Sequence, residues 1–69
     1  MERNFVTSSN VASIGYDLVT ATLEIEFNNG GIYQYFDVPE VIYQEFIGEP
    51  SKDQFLATIK GRFRYARVA

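Results

Sequence analysis

Asn28-Asn29-Gly30-Gly31 separates two segments in which apolar and polar residues alternate, and this pairing leaves an antiparallel hairpin as the framework of the fold. Asn and Gly tolerate positive φ, which a tight turn between two twisted strands demands. Before the turn, Thr22 to Phe27 places Leu23, Ile25 and Phe27 on one face and Glu24 and Glu26 on the other. Period-two alternation marks a half-buried strand. Residues 11–18 repeat it, with Ala12, Ile14, Tyr16 and Leu18 expected inward. Ile32 to Val38 comes after the turn as a third strand.

The length of the turn decides which side chains are inside. A two-residue Asn29-Gly30 turn sets Phe27 near Ile32, puts Gln34 on the core face with Ile25, and leaves Tyr33 and Tyr35 in solvent beside the two glutamates. A three-residue loop with Gly30 left-handed shifts the parity. Tyr33 and Tyr35 then join Leu23, Ile25 and Phe27, and Gln34 joins Glu24 and Glu26. A buried, unpaired Gln costs more than a partly exposed Ile32 or Phe36, which favours the three-residue loop.

Pro39 opens a helix at its first position, with Ile42, Tyr43, Phe46 and Ile47 as its apolar stripe and Gly48 and Pro50 as its stop. Ser51-Lys52-Asp53-Gln54 has the pattern of a capping box, Ser51 capping and Gln54 reaching back. The second helix presents Phe55, Leu56, Ile59 and Phe63 at spacings of three and four, and Gly61 weakens its end. Strands first and helices last predict an α+β domain over residues 1–69: a three-stranded antiparallel meander followed by two helices packed on one sheet face.

With 69 residues and neither Cys nor His, no disulfide or ordinary zinc site is available to hold this domain together. The Ser-His-Asp and Cys-His devices are excluded for the same reason, and no cofactor or metal is expected. Glu24 and Glu26 share a strand face that reads as flat and solvated, without the pocket that acid–base chemistry needs. The chain is therefore read as no enzyme. No apolar run approaches the roughly 18 residues of a membrane span, and Met1-Glu2-Arg3-Asn4 does not open a signal peptide, so a cytoplasmic home without membrane contact is expected.

The net charge of −3 hides an asymmetry: residues 1–51 hold one base and eight acids, residues 52–69 five bases and one acid. Internal pairing between helix and sheet is one reading of this basic segment, and an anionic partner is the other. Lys60, Arg62, Arg64 and Arg67 cluster with Phe63 and Tyr65 between them, a mixture suited to phosphates and unpaired bases. Lys60-Gly61-Arg62-Phe63 differs from the aromatic sheet motif of RNA-recognition domains, both in lying at a helix end and in the residues after its glycine.

The order Ser8-Ser9-Asn10-Val11, Ser13-Ile14-Gly15-Tyr16-Asp17, Leu23 to Phe27, Gly30-Gly31, Tyr33-Gln34-Tyr35, Val38-Pro39, Ser51-Lys52 and Ile59 resembles the KTSC domain family. That family is named for the C-terminus of some lysyl-tRNA synthetases, occurs also as single-domain bacterial proteins, and has a central Tyr-x-Tyr motif, here Tyr33 and Tyr35. The resemblance covers about residues 6–67. It departs at Asp53, where a glycine is usual, and at Leu56, where an aromatic is common. What it implies is a small binding module whose synthetase context suggests RNA, with Tyr33, Tyr35, Lys52, Lys60, Arg62, Arg64 and Arg67 as candidate nucleic-acid contacts. A protein partner or self-association through the same fold is the alternative.

Overall fold

The structure, a computed structural model, describes residues 3–69; Met1 and Glu2 of the N-terminal stretch lie outside them. Strands Arg3–Phe5 (β1), Val11–Asp17 (β2), Thr22–Phe27 (β3) and Ile32–Tyr35 (β4) precede helices Glu40–Gly48 (α1) and Lys52–Arg62 (α2), and Tyr65–Arg67 (β5) ends the order. The α+β class is as expected, but the sheet has five strands, in the order β1-β2-β3-β4-β5. The meander is flanked on both sides by a short strand, each pairing antiparallel with its neighbour. Three residues are too few to show alternation, so these strands owe their form to the open edges of β2 and β4, whose backbone groups need partners.

The three-residue loop is the one that forms. The Phe27 amide donates to the Gly31 carbonyl at 2.8 Å and the Gly30 amide to the Phe27 carbonyl at 2.9 Å. Gly30 has φ +93°, where a side chain would be strained. The resulting register sets Leu23 opposite Tyr35, Ile25 opposite Tyr33 and Glu24 opposite Gln34. Gln34 Nε2 then donates to Glu24 Oε1 at 2.8 Å, so its amide is satisfied outside the core.

Strand β2 departs from the expected alternation at both ends. Val11 pairs with Phe27 but Ser13 with Glu26, so one residue is inserted between them, as in a β-bulge. The bulge turns Val11 rather than Ala12 into the core with Ile14. At the other end the strand stops at Asp17, and Leu18 is 64% exposed in the turn.

Helix α1 starts one residue later than expected, with extended Pro39 as its N-cap. Phe46 is fully buried, and Ile42, Tyr43 and Ile47 pack around it. In α2, Leu56 and Ile59 are buried and Phe55 and Phe63 pack against them. The capping box does not form: the Ser51 hydroxyl makes no cap bond, while its carbonyl accepts from the Phe55 amide at 3.3 Å. The first turn of α2 holds Asp53, whose negative charge suits a helix N-terminus.

Both helices pack on the face that carries Val11, Ile14, Leu23, Ile25 and Tyr35. Tyr43 of α1 stacks on Tyr16 at 4.9 Å and accepts from Asn4 Nδ2 at 2.7 Å, which sets α1 over β1 and β2. The Tyr16 hydroxyl donates to the Val38 carbonyl. Burial, then the nearby Glu40 and Asp17 carboxylates, push its ionisation above the usual phenol range. The opposite face is not flat and solvated around the glutamates. Arg3, brought in by β1, pairs with Glu24 and donates to Ser13 Oγ at 3.2 Å, and Ser13 donates to Glu26 at 2.9 Å.

Five strands about 4.8 Å apart form a sheet roughly 24 Å wide, whereas two helices about 10 Å across cover roughly 20 Å. About one strand's width of the helical face is left over. It falls at β5, whose three residues are all exposed.

Candidate functional site

The uncovered margin of the helical face carries a run of aromatic rings. Phe27 meets Tyr33 edge to face at 5.5 Å, Tyr33 lies 6.0 Å from Tyr65, and Tyr65 lies 5.4 Å from Tyr35. The register explains the grouping: Tyr33 and Tyr35 of β4 share a face with Phe27 of β3, and β5 sets Tyr65 opposite Tyr35. Two cations flank the rings. Lys60, one turn beyond buried Leu56, holds its ammonium 5.5 Å from the Phe27 centroid, and Arg67 lies 5.9 Å from that of Tyr33. Both distances fall in the range of cation–π attraction.

Phe27, Tyr33, Tyr35, Tyr65, Lys60 and Asn29 line an open pocket of about 250 Å³. A shallow groove of about 640 Å³ adjoins it, sharing Phe27, Asn29 and Lys60 and running to Asn10, Asn28 and Asp53. At its far end the Asp53 carboxylate accepts from Ser9 Oγ at 2.6 Å, Asn10 Nδ2 at 3.1 Å and Ser8 Oγ at 3.2 Å. These bonds, that of Ser9 foremost, hold the Asp53 carboxyl below its usual range. A carboxyl lowered by folding stabilises the fold above its unfolded pKa, and that contribution is lost as pH falls through the folded pKa. Ser9→Ala is expected to return the Asp53 carboxyl toward the ordinary value. Carbon chemical shifts of Asp53 followed through an acid titration measure this, and an unchanged midpoint would refute the assignment.

The candidate contacts do not form one surface. Tyr33, Lys60 and Arg67 come together, with Tyr35 beneath them, 1% exposed and unable to offer a free ring face. Burial, reinforced by Tyr65 and Tyr33, pushes the Tyr35 hydroxyl up to about 12. Lys52 stands apart, its ammonium donating to the Ile47 and Glu49 carbonyls at the end of α1. Arg62 lies over Phe63, while Arg64 lies over Phe36 and pairs with Asp37 at 3.0 Å. Of the five bases in residues 52–69, only Arg64 meets a side-chain carboxylate among the described residues, while Arg67 Nε donates to the Ala69 carbonyl at 2.8 Å, so pairing with acidic side chains accounts for little of the charge asymmetry.

Three pocket residues stand outside the set of contacts expected from sequence. Phe27 reads as core, and only the register shows that it borders Tyr33. Tyr65 lies in a segment that reads as a helix end, and Asn29 reads as turn alone. Among the described residues, no helix is long and apolar enough to cross a membrane.

The KTSC domain family model matches residues 7–63. The chain is 39% identical over 62 residues to a lysine–tRNA ligase of Nostoc sp. strain PCC 7120, covering 88% of this chain and 11% of that one. It thus spans about a tenth of the length of such ligases, the Trichormus variabilis protein included. An uncharacterised protein of Stutzerimonas stutzeri is 31% identical over a 70-residue alignment covering 99% of both chains. The crystal structure of a KTSC domain protein from Yersinia pestis superposes with a TM-score of 0.94 at 42% identity, covering 99% of this chain and 97% of that one.

Proposed function

The chain belongs to the KTSC domain family, and from that premise we propose that it is a small non-enzymatic module that binds single-stranded RNA at the β4–β5 margin. The observation that supports this is the juxtaposition of Lys60 and Arg67, neither paired to a described carboxylate, with the rings of Phe27, Tyr33 and Tyr65. Unpaired bases stack on aromatic faces while cations neutralise the phosphates between them, and neither interaction needs a pKa-shifted acid or base. Lysine–tRNA ligases, by their name, act with tRNA, so the family's larger relatives work where RNA is at hand. The acidic remainder of the chain gives no long-range attraction, and binding rests on this margin alone.

Two or three phosphate contacts to a single strand give a salt slope of about −1.4 to −2.1. Affinity for a fluorescent mixed-sequence RNA is therefore expected to fall roughly tenfold between 50 and 200 mM salt. Lys60→Ala and Arg67→Ala each weaken binding and flatten the slope by about 0.7, whereas Lys52→Ala leaves it unchanged. Absence of binding at low salt would overturn the proposal.

Self-association through the free edge of β5 is the alternative, supported by Tyr65 and Val68 at 55% and 51% exposure beside unpaired backbone. It requires a mass that rises with concentration in sedimentation. A strand of three residues offers few bonds to a partner, which places this alternative second.

A further inference from the structure

We propose that the 250 Å³ pocket holds one unstacked base of the bound strand and selects guanine over adenine. This rests on the RNA-binding proposal and adds to it a ligand group and a discrimination. The volume gives room for one planar heterocycle. Its walls are rings: Phe27 and Tyr33 stand at 89° to one another, so a base lying flat on one ring meets the edge of the other.

Two polar groups of the pocket can only donate. Asn29 Oδ1 is occupied by the Gly31 amide at 2.9 Å, which fixes the side chain within its turn and leaves Nδ2 as its free group. Lys60 contributes an ammonium, which can only donate. The hydroxyls of Tyr33, Tyr35 and Tyr65 can donate or accept, so the discrimination falls to Asn29 and Lys60. Guanine offers two adjacent acceptors, O6 and N7, whereas adenine replaces one of them with an amino donor. An amino group facing Asn29 Nδ2 or the Lys60 ammonium would meet another donor and lose its solvation without return. The charge of Lys60 also favours the electron-rich O6/N7 edge, the edge that lysine and arginine side chains commonly contact in nucleic acids.

The test uses the full chain and a uridine oligomer bearing one central guanine, adenine or abasic site, titrated by fluorescence anisotropy. The guanine oligomer is expected to bind about tenfold more tightly than the other two. Asn29→Asp keeps an acceptor for the Gly31 amide but replaces the free donor with an acceptor, and is expected to lower the guanine-to-adenine ratio severalfold. Its added charge weakens all three oligomers alike, so the ratio isolates the pocket, and the circular dichroism spectrum checks that the hairpin is retained. Equal affinities for the three oligomers, with salt dependence intact, would overturn the pocket assignment and leave the RNA-binding proposal standing. A guanine preference undiminished in Asn29→Asp would overturn it too. Failure of every oligomer to bind at low salt would end both.

Discussion

Phe46→Ala is expected to cost about 3–5 kcal/mol, roughly a third or more of the stability available to a chain of this length. Phe46 is fully buried in the second half of α1, and its ring lies 5.5 Å from that of Phe55 at an interplanar angle of 24°. It is therefore the aromatic side chain that joins α1 to α2 above the sheet. Truncation removes the transfer energy of the ring and leaves a void between two short helices, which the surrounding strands cannot close. At about 0.05–0.15 kcal/mol per residue, a chain of this length has roughly 3–10 kcal/mol of stability in all. With no cysteine there is no disulfide to limit the loss. Urea denaturation followed by circular dichroism measures the effect, and Phe46→Leu, which keeps most of the volume, is expected to cost less than about 1.5 kcal/mol. A loss below about 1 kcal/mol for Phe46→Ala would show that α1 is not needed to close the core.

What sequence reveals here depends on how many residues cooperate in each signal. The β3–β4 register is legible because one wrong parity would bury Gln34 and expose two tyrosines, a penalty summed over a whole strand. The bulge in β2 is hidden because Val11 and Ala12 are both apolar and either satisfies an alternating pattern. The spacing of three between Val11 and Ile14, two large β-branched residues, is its one trace. Strands β1 and β5 are silent for another reason: Arg3-Asn4-Phe5 and Tyr65-Ala66-Arg67 acquire strand geometry from the edges they join. The capping box shows the converse, a matching local pattern whose bond is not made.

The same logic explains the candidate site. Treated as one helix, residues 52–69 would gather their bases on related faces. In the fold α2 ends at Arg62, and β5 then carries Arg67 back along the hairpin to Tyr33. Lys60 and Arg67 are thereby brought to the adjoining rings of Phe27 and Tyr33 although seven positions apart, while Arg62 and Arg64, which lie between them in sequence, pair with other rings. The character of the open sheet face is likewise set by an edge strand. Arg3 converts Glu24 and Glu26 from two free carboxylates into members of a paired network with Ser13 and Gln34, leaving the helical margin as the place where cations without an acidic side-chain partner meet aromatic rings.

Raising the pH from 10 to 12 is expected to remove about 2 kcal/mol of stability through Tyr35 alone. Tyr35 is 1% exposed, and burial of its ring, with Tyr65 and Tyr33 beside it, pushes its hydroxyl up to about 12 from an ordinary phenol value near 10. The fold thus favours the neutral form. Its contribution is fully present below pH 10, where the unfolded chain is also protonated, and is lost as pH rises through the folded value. Tyr35→Phe keeps the buried ring and cannot ionise, so its urea midpoint should decline much less across this window. A smaller decline persists because Tyr16 is shifted in the same direction. Parallel curves for the two proteins would refute the assignment to Tyr35.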